Sequence, residues 1–117
     1  MSSRKIPKRI EKSIQSYVRV LKEDDLPITQ VFLFGSYAKG KARASSDIDL
    51  CVISPKFKDP RAALQYLWSK RISDEGTTIE PIGFSPQDFA EESPLINEVK
   101  RYGIKIPTTL PKRPASG

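Results

Sequence analysis

Asp47 and Asp49 stand one residue apart, ten residues after the pair Gly35-Ser36, inside the stretch VFLFGSYAKGKARASSDIDLCVI (31–53). Acidic residues at i and i+2 project from one face of a strand about 6 to 7 Å apart, so the two carboxylates converge on one spot. Side by side they repel unless a cation neutralises them, and Mg²⁺ suits one or two carboxylates plus phosphate oxygens. An isolated DxD is often only a polar strand start, so the pair gains meaning from what precedes it. Glycine lets backbone approach a phosphate closely, serine adds a hydroxyl donor, and a following helix would aim its first amides at the anion. Tyr37 to Ala44 has the composition to begin such a helix, and Lys39, Lys41 and Arg43 add positive charge beside it. One half of the stretch can hold phosphates, the other metal.

Positioning these groups needs strands on either side of the loop. The apolar run Val31 to Phe34 reads as a buried strand that delivers Gly35 and Ser36 into a turn, and Ile48 to Ile53 as a second strand opening at the acids. Thr77 to Phe84, β-branched and apolar, reads as a third strand, and Pro81 places it at an edge or in a bulge because proline donates no ladder hydrogen bond. Ile10, Ile14, Tyr17, Val18 and Leu21 recur at helical spacing. Asp59-Pro60 caps a helix running to Ile72, with Leu64, Leu67, Trp68 and Ile72 on its apolar stripe and Trp68 in the core. Ser85-Pro86 opens a short helical turn, and Ser93-Pro94 opens a helix stopped by Gly103, before a last strand at Ile104 to Ile106. The expected fold is α/β (α+β), with one mixed sheet of about four strands and helices mainly on one face.

Gly35, Gly40 and Lys41 also fit the Walker A frame G-x-x-x-x-G-K. Ala42, however, stands where a serine or threonine must ligate magnesium, and a P-loop strand ends in its aspartate instead of opening with it. That reading is rejected.

The remaining pattern resembles the minimal nucleotidyltransferases of the DNA polymerase beta superfamily, marked by GS, ten residues, then DxD. Gly35, Ser36, Asp47 and Asp49 match without a gap, and the flanks agree: Phe34 before the glycine, Gly40 in the loop, and Ser46 ahead of Asp47 in SDIDL. The resemblance spans roughly residues 28 to 106 and implies a palm-like fold. It further implies transfer of a nucleoside monophosphate, most often AMP from ATP, onto a hydroxyl, with two Mg²⁺ ions. Gly35 and Ser36, with Lys39 and Ser46, would bind the nucleotide; Asp47 and Asp49 would bind metal. The family supplies a third carboxylate from a neighbouring strand, and Glu80 is its counterpart here, as metal ligand and catalytic group. Members of this class often act as antitoxins that silence HEPN ribonuclease toxins by adding AMP to a toxin tyrosine. The toxins' R-x4-to-6-H signature is impossible here without histidine, so this chain would be the antitoxin half. Two alternatives stay open: a small-molecule acceptor such as an aminoglycoside, with a second subunit or dimerisation completing the site, and a non-catalytic nucleotide- or partner-binding module.

Composition bounds the rest. The sequence has no histidine, which excludes Ser-His-Asp and Cys-His nucleophiles and imidazole zinc sites, whereas two-metal phosphoryl chemistry needs none. Its 117 residues, 38% hydrophobic, suit one domain over 1–106 with a loose Pro/Lys-rich tail over 107–117. No apolar run is long enough for a membrane, and MSSRKIPKRIEK lacks an apolar signal core, so the expected location is the cytoplasm. Cys51, the only cysteine, should be a buried thiol in the second strand. The net charge of +6 gathers toward the ends, at Arg4, Lys5, Lys8 and Arg9 and at Lys105, Lys112 and Arg113. Such ends are ordinarily solvated, and no RNA-stacking motif accompanies them, so nucleic acid is not the expected partner.

Overall fold

Alternation of side chains in β1 (Gln30–Phe34) and β2 (Ile48–Ile53) decides the architecture, because both strands are apolar on both faces. The computed structural model describes residues 6–43, 46–71 and 78–108. Its elements run α1 (Lys8–Glu23), β1, α2 (Ser36–Lys39), β2, α3 (Pro60–Ser69), β3 (Ile79–Phe84), α4 (Pro86–Phe89), α5 (Pro94–Tyr102) and β4 (Ile104–Lys105). The strands form one mixed sheet in the order β3-β2-β1-β4. β1 pairs antiparallel with β2 and β4, whereas β2 and β3 are parallel.

Val31 and Leu33 of β1, Ile48, Leu50 and Val52 of β2, and Ile79 of β3 point to one face. There they meet Ile10, Ile14, Tyr17, Val18 and Leu21 of α1 and Ala63 and Leu67 of α3. Phe34, Cys51 and Ile53, with Phe32, Ile82 and Phe84, point to the other face, where Phe89 of α4 and Ile96 and Val99 of α5 cover them. The four-stranded mixed sheet is the expected one, and the two longest helices share a face. The second face is nonetheless closed as well, because leaving its phenylalanines and isoleucines in water would forfeit about 1.5–3 kcal/mol per side chain.

The helix starts follow their local chemistry. The side chains of Asp59, Ser85 and Ser93 accept from the backbone N–H groups of Arg61, Asp88 and Ile96, and each cap is followed by proline in the first turn. Pro81 sits in β3 at the sheet edge, where a missing N–H breaks no ladder. Burial of Cys51 pushes its thiol up to about 12.

Two local expectations are corrected. The helix after Gly35 stops at Lys39 instead of running toward Ala44, because Gly40 turns left-handed at φ 75°. Trp68 is not in the core. It is 43% exposed, as Leu64 is at 39%, and α3 buries Ala63 and Leu67 instead. The cause is the edge position of β3: the Trp68 indole reaches around the edge to donate to the Pro81 carbonyl at 3.1 Å. Ala44, Ile72, Thr77, the basic residues Arg4, Lys5, Lys112 and Arg113, and the tail from 109 lie outside the described residues. Before that point, the Lys22 ammonium donates to the Thr108 carbonyl, tying the chain back to α1.

Candidate active site

Gly35 ends β1 at φ 75° and ψ −147°, a conformation that side-chain-bearing residues avoid. A methyl group added to it would run into the Asp49 carboxylate and lie 3.0 Å from Asp49 Cγ. The glycine is thus required twice, by its backbone angle and by the acid packed against it. The turn is closed by Lys39 N–H donating to Gly35 O at 3.1 Å and Lys41 N–H to Ser36 O at 2.9 Å.

Register places the acids. Phe34 faces Asp49 across the β1–β2 pair, and Asp49 faces Glu80 across the β2–β3 pair. The three side chains therefore form one row on the face covered by α4 and α5, at the end where β1 stops and β2 and β3 begin. Behind that row lie Phe32, Cys51 and Ile82, whose apolar cover includes the stacked rings of Phe32 and Phe89, 5.5 Å between centroids. Asp47, two residues before Asp49, is exposed just ahead of the strand.

Their electrostatics show that the carboxylates sense one another. Burial, then the charges of Asp47 and Glu98, raises Asp49 above the ordinary carboxylate range. Glu80 is raised first by loss of solvent, then by a hydrogen bond with Asp47 and the charges of Asp47 and Asp49, while Arg71 pulls it back. A cluster in which ionised acids disfavour one another is a place where a cation is welcome. Among the described residues no group of three or more His, Cys, Asp or Glu side chains closes into a metal cage by itself. Open, oxygen-only and short of ligands, the set fits Mg²⁺, which keeps waters and takes substrate phosphate oxygens alongside one or two carboxylates.

The remaining predicted residues lie around the turn. Ser36 opens α2, half-buried. Ser46 spends its hydroxyl on the loop: Arg43 N–H donates to Ser46 Oγ at 2.7 Å, and Ser46 N–H to Arg43 O at 3.0 Å. Lys39 leans to α5, 3.3 Å from the Glu98 carboxylate and 5.1 Å from the centre of the Tyr102 ring.

Sequence reasoning missed three neighbours. Glu98 carries no local signal, since only the packing of α5 on β1 brings it to Asp49. Trp68 and Arg71 did carry one, the i, i+3 spacing of an aromatic and an arginine on a helical surface. The Arg71 guanidinium lies 3.9 Å from the centre of the Trp68 ring.

Comparison with known proteins gives a family and a fold. The family model described as "Nucleotidyltransferase domain" matches residues 14–106. Among solved structures, the chain is similar to a crystal structure of a toxin-antitoxin with AMP-PNP, with TM-score 0.55 and 22% identity over 85% of this chain and 73% of that one. It is also similar to two mutant crystal structures of the toxin-antitoxin MntA-HpeT. One has TM-score 0.55 and 21% identity over 82% and 72% of the two chains; the other has TM-score 0.56 and 20% identity over 85% and 73%. The search of curated proteins gave no match.

Proposed function

The chain belongs to the nucleotidyltransferase domain family, and from that premise we propose that it transfers AMP from Mg·ATP to a hydroxyl, that of a tyrosine on a HEPN toxin that it silences as an antitoxin. The observation that carries the reading is the packing of the Gly35 turn against the Asp49 carboxylate, in a row continued by Glu80. A triphosphate gripped at that turn would lie against the acids that handle its metal. The similarity to toxin-antitoxin structures, one with AMP-PNP, supports the choice of nucleotide and partner.

In this mechanism Gly35 lets backbone approach the β and γ phosphates, and Ser36 donates its hydroxyl to them. Asp47 and Asp49 would hold the metal ions, and Glu80 would complete the site and orient or deprotonate the incoming hydroxyl. Bound Mg²⁺ supplies charge neutralisation on the transferring phosphate and on the leaving pyrophosphate. The chain's own contribution is positioning and electrostatic preorganisation for in-line displacement at the α phosphate. Ser46 serves indirectly, closing the loop that presents Asp47, and Lys39 steadies the turn through its contacts with Glu98 and Tyr102 of α5.

The test is a transfer assay with labelled ATP and Mg²⁺ on chain co-expressed with its partner. Label should appear on the partner and fall by about a hundredfold or more with Asp47→Asn. An unlabelled partner alongside active wild-type binding of nucleotide would overturn the reading, and label on a small compound without any protein partner would move the acceptor to that compound.

A further inference from the structure

Beyond the outer edge of β3 stands a pair that the proposed chemistry has not used. Trp68 is anchored through its indole N–H to the carbonyl of Pro81, the residue after Glu80, and Arg71 stacks on its ring. Leu64, one helical turn earlier on α3, is 39% exposed. An exposed indole and leucine beside a stacked guanidinium make a small apolar surface with one cation, and tryptophan and arginine are residue types enriched at the energetic centres of protein interfaces. The Arg71 charge also opposes the rise of the Glu80 carboxyl, which burial and the neighbouring acids push up.

Order across the sheet gives this pair a direction. The Gly35 turn follows β1, Asp49 lies on β2 and Glu80 on β3, and the Trp68 indole reaches from α3 to the outer edge of β3 with Arg71 stacked on it. Adjacent strands are about 4.8 Å apart, so the series runs sideways across the end of the sheet. In-line displacement sets the attacking oxygen opposite the leaving pyrophosphate. With phosphates held on the β1 side, the acceptor must arrive over the β3 edge, where this surface waits.

We propose that Trp68 and Arg71 form the acceptor-side docking platform, on which an acidic, tyrosine-bearing polypeptide segment lies with its hydroxyl directed toward the Glu80 end of β3. The inference rests on the nucleotidyl transfer proposed above and deepens it by naming the surface on which the acceptor docks. The indole face and Leu64 take the apolar part of the segment, and the guanidinium takes a carboxylate next to the tyrosine. Glu80 lies one residue from the carbonyl that anchors the indole, so docking and chemistry share one strand.

Trp68 is the only tryptophan of the chain, so its fluorescence reports on the platform directly. The probe is a blocked Glu-Glu-Tyr-Glu peptide, titrated into full-length protein with Mg·AMP-PNP present. A saturable change in emission is expected, weakened roughly tenfold by Arg71→Ala, partly restored by Arg71→Lys, and absent with a Lys-Lys-Tyr-Lys peptide. The comparison of the two peptides on unmodified protein needs no variant to fold. No saturable response, equal response to both peptides, or a large response to AMP alone, which would make the platform a nucleobase site, overturns the proposal. Pyrophosphate release from Mg·ATP is followed separately: its absence with intact peptide binding sinks the transferase reading, and its presence without a peptide response sinks the platform alone.

Discussion

Asp49 is pressed against Gly35; its partial burial, and then the charges of Asp47 and Glu98, disfavour its ionised form. A carboxyl raised in the folded state stabilises the fold most fully below the unfolded pKa, and that contribution is lost as pH rises through the folded value. At neutral pH without metal, Asp49 is therefore a liability. Asp49→Asn should raise the thermal midpoint of metal-free protein by the equivalent of about 1 kcal/mol or less, given how much solvent reaches the group, while abolishing transfer. Calorimetry with and without Mg²⁺ checks both halves: the metal should stabilise wild type more than the variant. Gly35→Ala has the opposite character. Its φ of 75° and the collision with Asp49 should cost about 1–3 kcal/mol and remove nucleotide binding together, measurable by denaturant unfolding and by nucleotide titration.

The elements hold the site through a few close fits. Gly83 of β3 lies under Phe57 and Leu67, and a Cβ there would sit 2.7 Å from the Phe57 ring and 2.9 Å from Leu67 Cδ1. Gly83→Ala should destabilise by about 1–3 kcal/mol through overpacking. Because β3 also carries Glu80, the same variant should lower kcat more than it changes nucleotide affinity, which steady-state kinetics would show. Helix α5 brings Glu98 to Asp49, and its start depends on Ser93, whose hydroxyl accepts from Ile96 N–H at 3.1 Å. Ser93→Ala should cost about 1 kcal/mol in unfolding experiments. The cap was readable from Ser-Pro alone, because capping is a contact between residues three apart. The exposure of Trp68 was not, since a helical stripe shows which residues align and not whether the strand beneath is an edge.

Across the whole molecule, stability without metal should bend twice with pH. Descending from neutral, protonation of Asp49 and Glu80 in their raised range favours the folded state. Further down, Asp24 works the other way: the hydrogen bond from Tyr66 at 2.5 Å, and then Lys70, hold it below the ordinary carboxylate value. Its contribution is present above the unfolded pKa and disappears as pH falls through the lowered folded value. Asp24→Asn should flatten only that lower arm, and Mg²⁺ only the upper one, in thermal midpoints recorded across pH. Among the described residues no helix is long and apolar enough to cross a membrane. By itself the sequence determined what is local or periodic: strands on either side of a Gly-Ser turn, the i, i+2 acids, the helix caps, and the proline that demands an edge. The resemblance named Glu80, but the tertiary structure alone set the register that puts it beside Asp49, pressed the Gly35 turn on that acid, brought Glu98 to it, and gathered Trp68 and Arg71 at the edge of β3. Those neighbours meet through pairing register and helix packing over long chain separations, and such contacts leave no mark on the residues nearby in sequence.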